Sequence, residues 1–291
     1  MNGFFNVLKP SGITSSDVVV IIRNFLRDKT GQKLKVGHLG TLDPLGAGVL
    51  PVAVGSARKL FNYLLAKTKL YRAKFIFGLT TDTLDSDGVV TDTIPCNITI
   101  DKVLAVLPSL IGSQEQLPPQ YSSKCVNGVR AYKLARKGIE VELAPKLIII
   151  HDIRVIESAV NEYVFDIECG SGTYIRSICR DMAEALGTCG YMASIIRLQN
   201  GSFMIESAKT LEEIAADPDS AFITVEQYGA TLPAFDVSPE FKHKIDNGVI
   251  LTPANMPEEL FLLRMGGEAY GIAISDKGRL KMILRYDKEL V

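Results

Sequence analysis

The residues best placed to do chemistry lie in one short segment. Residues 37–55 read G-H-L-G-T-L-D-P-L-G-A-G-V-L-P-V-A-V-G and hold a single acid, Asp43. Around it stand Gly37, Gly40, Gly46, Gly48, Pro44 and Pro51. Glycine and proline set special backbone shapes and let a ligand come close. A carboxylate in such a rigid, almost uncharged loop suits a nucleophile or a base. An Asp-Pro pair also caps turns, so on spacing alone both readings stand. A P-loop is excluded, because no G-K-[ST] follows the glycines. Asp82, Asp85 and Asp87 before Gly88 miss the spacing of an EF-hand, and a hairpin turn is the better account.

Composition narrows the class. The chain has 291 residues, 47% of them hydrophobic and 22% charged, enough to bury a core. The net charge of −1 argues against a uniformly basic coat for nucleic acid, though not against a local basic groove. Split by segment, residues 1–93 carry +5, residues 94–230 carry −5 and residues 231–291 carry −1. The first third is the expected anion-facing part, and its densest basic patches are Arg23 to Lys35 and Arg58 to Lys74. No uncharged run is long enough for a membrane helix, and the N-terminus lacks the pattern of a signal peptide. Five Cys without a C-x-x-C pair argue for reduced thiols in a cytosolic protein, and three scattered His leave little for metal catalysis.

The elements that must position Asp43 follow from periodicity. Thr14 to Asp17 fits a helix cap ahead of an apolar stripe at Val18, Ile22 and Leu26. Residues 57–66 read as a second helix. In 70–78, Tyr71, Ala73, Phe75 and Phe77 alternate with Arg72 and Lys74, which is the period of a strand. Residues 101–111 and 131–137 read as helices, and 147–156 and 163–169 as strands. Residues 173–187 form a clear helix, with Ile175, Ile178, Cys179, Met182 and Leu186 on the core side and Arg176 and Arg180 on another. Past the proline-rich stretch 215–239, short apolar runs separated by turns suggest a small β-rich module. Two domains are expected, 1–230 and 231–291.

Several blocks, in order, resemble the TruB family of tRNA pseudouridine synthases. They are N-V-L-K-P-S-G-I-T-S-S-D at 6–17, G-H-L-G-T-L-D-P at 37–44 and K-L-Y-R-A-K-F-I-F-G-L-T-T-D-T-L-D-S-D-G at 69–88. Further along come L-P-P-Q-Y-S-S-K-C-V-N-G-V-R-A-Y-K-L-A-R-K-G at 117–138, G-S-G-T-Y-I-R-S at 170–177 and I-R-L-Q-N-G-S-F at 196–203. The likeness covers about residues 3–205, and the tail is weakly similar to the family's small RNA-binding domain of PUA type. Three departures stand out: Gly46-Ala47 where the family has Ala-Thr, Ser171 in place of a Lys, and Leu198 in place of an Arg.

The resemblance implies an α+β protein: a central mixed, largely antiparallel sheet flanked by helices, with a PUA-like C-terminal domain. It implies isomerisation of a uridine in the tRNA T loop, at position 55, by base flipping, with no cofactor and no metal. Asp43 would be the covalent catalyst, Arg176 its ion-pair partner, and Tyr71 the ring that stacks on the uracil. His38 would enter the RNA where the base left. Tyr174 and Lys9 would support Arg176 and the active-site loop, and Ile196 would line the apolar pocket. Basic residues at 58–74 and 124–137 are candidates for phosphate contact. A monomeric cytoplasmic enzyme that acts on the T arm without a protein partner is expected. A non-catalytic tRNA-binding or tRNA-folding protein on the same scaffold is the alternative. A retaining glycosidase is a poorer fit, since it pairs two carboxylates.

Overall fold

In the computed structural model, which describes residues 1–65, 67–122, 124–126, 128–139 and 141–286, the chain opens with strand β1 (Gly3–Lys9). Helix α1 (Ser15–Thr30) follows, started by a capping box between Thr14 and Asp17 and stopped by Gly31 in the left-handed conformation. Strands β2 (Val36–His38) and β3 (Ala47–Val54) bracket the Asp43 loop. The expected helix at 57–66 is a 3-10 turn at Gly55–Leu60 that runs into the short α2 (Phe61–Leu65); Ala66 lies outside the described residues.

Strand β4 (Lys69–Phe77) buries Tyr71, Ala73, Phe75 and Phe77 on one face, as its alternation requires. The acidic turn at 82–88 joins a small hairpin, β5 (Leu79–Thr81) and β6 (Val90–Thr93). Then come α3 (Ile100–Leu110), β7 (Gly112–Gln116), the two-residue strands β8 (Cys125–Val126) and β9 (Val129–Arg130), and α4 (Ala131–Ala135). Within the 117–138 block, Ser123 and Asn127 lie outside the described residues. The long β10 (Lys146–Ala159) and β11 (Glu162–Cys169) lead into α5 (Ile175–Ala185), and β12 (Gly190–Asn200) and β13 (Phe203–Met204) follow it. After α6 (Leu211–Ala216) and α7 (Pro218–Ala221), β14 (Phe222–Thr224) and α8 (Val225–Ala230) complete this part.

The large sheet has the strand order β14-β1-β3-β12-β4-β11-β10-β7, with β2 added to β3 and β13 to β12. Its pairings are antiparallel except β3 with β12, where Ala47 and Gly48 lie opposite Ile196 and Arg197. This is the mixed, largely antiparallel sheet that the resemblance implies. That parallel seam is where the Asp43 loop meets the centre of the sheet. Helices α1, α3 and α5 cover one face through Val18, Ile22, Leu26, Val103, Ile178 and Met182.

A second sheet of β15 (Ala234–Val237), β16 (Phe261–Met265), β17 (Glu268–Asp276) and β18 (Arg279–Arg285) forms the C-terminal module. It has an apolar core of its own around Phe261, Leu263 and Tyr270. Its Leu260, Ile272 and Leu284 also pack with Phe4 and Val49 of the large sheet, Leu60 of the 3-10 turn and Leu64 of α2. No helix among the described residues is long and apolar enough to cross a membrane.

Candidate active site

A cavity of about 350 Å³ opens where the Asp43 loop, β4, β12 and the start of α5 converge. That is the lower end of ordinary ligand pockets and suits one nucleotide. Asp43, Arg176, Tyr71, His38 and Tyr174 all line it.

The Asp43 loop is held from three sides. The Lys9 side chain, fully buried at the end of β1, donates to the carbonyls of Pro10 (2.9 Å), Pro44 (3.2 Å) and Gly46 (2.5 Å). Ser15, in the first turn of α1, donates its hydroxyl to the Leu42 carbonyl and accepts from the Leu42 N–H, at 2.9 and 2.8 Å. Within the loop, the Gly46 N–H donates to the Asp43 carbonyl at 3.0 Å. Lys9 therefore supports the Asp43 loop through three carbonyls and does not itself line the cavity. Burial lowers its pKa to about 8, with the charge of Asp43 acting the other way.

Arg176 reaches Asp43 from α5. Its Nη2 lies 2.7 Å from Asp43 Oδ2, and the Asp43 side chain remains 41% exposed toward the cavity while Arg176 is 5% exposed. The same guanidinium donates to the Thr83 carbonyl (2.9 Å) and the Tyr121 carbonyl (3.0 Å), and pairs with the buried Asp85 at 3.4 Å. The helix-face arginine read from the periodicity is thus a buried one, because the 79–93 hairpin and the 117–122 segment cover that flank of α5. Tyr174 is the residue just before α5, and Gln116 grips both its N–H (2.8 Å) and its carbonyl (3.1 Å). Ser177 donates to the Leu117 carbonyl at 2.9 Å, which fixes the same helix start.

Tyr71 is buried at the floor of the cavity, and that burial pushes the phenol pKa up. His38 stands half-buried at the rim with Nδ1 unpartnered. Burial, and next the charge of Arg197, hold its imidazole below the usual range, so it is neutral near pH 7.

Ile196 does not line the cavity. The strand bulges between Met192 and Ser194, so Ile195 faces Ala73 and Ile196 faces Arg72. Ile196 is 39% exposed on the opposite face, and Ile195 is the residue in the cavity wall. A one-residue shift in a strand exchanges faces, and the sequence motif carries no mark of the bulge.

The basic residues expected to touch phosphate divide. Arg72 forms a bidentate pair with Asp166 at 2.8 Å, Lys74 pairs with Glu162 at 2.6 Å and Lys67 pairs with Glu259. Lys69 is buried and points at the Leu65 and Lys67 carbonyls, at 2.8 and 2.5 Å. Lys146 lines the cavity without a hydrogen bond or ion pair to any described residue. Reading the sequence missed Asp85, Gln116, Lys146 and Arg197. Only Arg197 had a signal, a basic residue in step with the buried Ile195.

Known proteins place the fold and the family. The fold matches a chain in the crystal structure of a Cbf5–Nop10–Gar1 complex, with a TM-score of 0.70 over 98% of this chain and 84% of that one, at 22% identity. Residues 27–175 match the family model described as TruB family pseudouridylate synthase, N-terminal domain. The class is therefore the pseudouridylate synthases. The tRNA pseudouridine synthase B of Bacillus subtilis is 39% identical, with 89% of this chain and 86% of that one covered. That of Moorella thermoacetica is 43% identical, with 86% and 83% covered. Within the class, the chain belongs to the TruB family.

Proposed function

We propose that this enzyme converts the uridine at position 55, in the T loop of tRNA, to pseudouridine. The observation that carries the reading is the Asp43–Arg176 pair at 2.7 Å, facing a nucleotide-sized cavity floored by Tyr71. The target base is stacked inside a folded loop, so it has to be turned out of the stack into the cavity. There the bond from N1 to C1′ breaks, the uracil turns, C5 bonds to C1′ as the C5 hydrogen leaves as a proton, and N1 takes up a proton. Atoms and electrons balance without an external oxidant or reductant.

Asp43 acts on the reacting nucleotide by attack at C1′, by attack at C6, or by assisting formation of a glycal. Arg176 aims the carboxylate, and the five donors of a guanidinium allow it to hold Asp43 and two carbonyls together. Tyr71 lies against the extracted uracil. His38, five residues before Asp43, fills the space the base leaves in the RNA. Lys9 and Tyr174 keep the loop and the helix start in place. Residues 1–230 carry the reaction and residues 231–291 add an RNA-binding, PUA-like module. The enzyme works on the T arm as a cytoplasmic monomer without a protein partner.

The test uses a tRNA transcript with tritium at C5 of uridine. Release to water is expected with the wild type. Asp43→Asn should release essentially none while retaining tRNA affinity. A folded wild type that binds tRNA but releases nothing would leave only a binding or folding role. Equal release by the variant would remove Asp43 from the chemistry.

A further inference from the structure

Beneath the cavity lies a cation that the account above does not use. Arg197 is 1% exposed, yet it lines the cavity floor. Among the described residues it has no carboxylate partner. Its Nε donates to the Val49 carbonyl at 2.7 Å and its Nη2 to the Gly40 carbonyl at 3.1 Å. A further side-chain hydrogen bond joins the guanidinium to Tyr71. A buried guanidinium with only neutral partners is costly, and a buried charge of this kind in a cleft is a candidate for a functional role.

Its position is set by the sheet. Arg197 lies directly opposite Tyr71 across the antiparallel β4–β12 pairing, and opposite Gly48 across the parallel seam. Both side chains therefore stand on the cavity side, one strand spacing apart. The two carbonyl bonds tie the same guanidinium to β3 and to the backbone three residues before Asp43. Arg197 is thus joined to the nucleophile's loop and adjacent to the ring beneath the base.

We propose that Arg197 is the positioning residue for Tyr71: its remaining N–H groups face the phenol oxygen, so that the Tyr71 hydroxyl directs its own proton into the cavity. A guanidinium only donates, so a phenol oxygen that receives an Arg197 N–H must offer its own O–H elsewhere, and the base is what lies there. A cation at that oxygen also stabilises the phenolate if the proton passes to the substrate. Arg197 opposes the upward push of burial on Tyr71 both by its charge and by this hydrogen bond. Cys169 and Asp43 act on the phenol in the opposite sense. Lys69, Lys146, Tyr174, Arg176 and His38 are the other charged or titratable groups around the cavity.

The proposal rests on Tyr71 lying under the reacting base, and a double-mutant cycle separates the two ideas. Single-turnover rates with excess enzyme and labelled tRNA are measured for Arg197→Gln, Arg197→Lys, Tyr71→Phe and each combination. With Tyr71 in place, Arg197→Gln should slow the reaction roughly 10–100-fold with tRNA affinity unchanged, the range of a lost donor or acid–base contribution. Combined with Tyr71→Phe, the same change should cost less than about threefold, because contacting residues couple. Arg197→Gln should also move the alkaline limb of the rate profile to higher pH, and Arg197→Lys should leave that limb near the wild-type position. Should Arg197→Gln fail to fold, the Arg197→Lys cycle decides: its loss must likewise shrink when Tyr71 is Phe. Equal losses with and without the phenol hydroxyl would show Arg197 to be a loop clamp only and overturn the proposal. A Tyr71→Phe enzyme as fast as the wild type would overturn the role of Tyr71 itself, and this inference with it.

Discussion

At the scale of single residues, the site divides its charges by exposure. Asp85 is buried on the far side of Arg176 and Asp43 is open to the cavity, so one carboxylate anchors the arginine and the arginine aims the other. Two lysines nearby are held in an unusual state. Burial lowers Lys9 and Lys69 to about 8, against 10.5 for an unhindered lysine. Below pH 8 both the folded and the unfolded chain carry the charge, and the folded state bears the full cost of burying it. Between about 8 and 10.5 the unfolded chain binds a proton that the folded lysine has lost, so stability from these groups rises with pH across that window. Denaturant midpoints measured from pH 7 to 9.5 should therefore climb more steeply for the wild type than for Lys69→Met. Parallel curves would show that Lys69 keeps its ordinary pKa in the fold.

At the scale of elements, the Asp43 loop depends on how closely β3 approaches β12. Gly48 has φ of +102°, and a Cβ there would stand 2.2 Å from the Arg197 carbonyl oxygen and 2.7 Å from its nitrogen. Both the backbone region and the close approach require glycine. Gly48→Ala should lower stability by about 3 kcal/mol or more, since left-handed strain and a backbone clash coincide. Chemical denaturation measures it, and a loss below about 1 kcal/mol would mean that the seam can part without penalty. The elements themselves were largely legible in the sequence. The cap at Thr14, the alternation through Tyr71 and the stripe of α5 each report a local period that burial enforces. The β12 bulge that moves Ile195 into the cavity in place of Ile196 has no local period of its own, and only the pairing with β4 reveals it.

At the scale of the whole molecule, the C-terminal sheet is not an appendage. Leu284 is buried against a cluster that includes Phe4, Leu60 and Leu64 from the N-terminal part of the chain. Leu284→Ala should cost about 2–5 kcal/mol, the usual range for a buried leucine. Because the cluster spans both sheets, melting followed in the module and in the large sheet should shift together as one transition. A module that melts alone, with the catalytic sheet unmoved, would show the two parts to be independent. Charge follows a similar rule of place. The basic first third supplies Lys9 and Lys69 to the site, yet Lys67, Arg72 and Lys74 are spent on acids from elsewhere in the chain. Net charge by segment located the site and overstated the number of cations free for RNA.

What the sequence by itself determined was the chemistry-bearing loop, the helix and strand that face it, and the family. Asp43, Tyr71 and Arg176 were nameable because each sits in a block that resembles a motif of the TruB family. The tertiary structure decided which groups surround them. Asp85 and Gln116 reach the site from a hairpin turn and an edge strand far from Asp43 in the chain. Arg197 becomes a partner for Tyr71 only when β12 inserts between β3 and β4. Local periodicity is written by burial of each element, whereas partnership across a cavity depends on strand order and register, which long-range pairing sets.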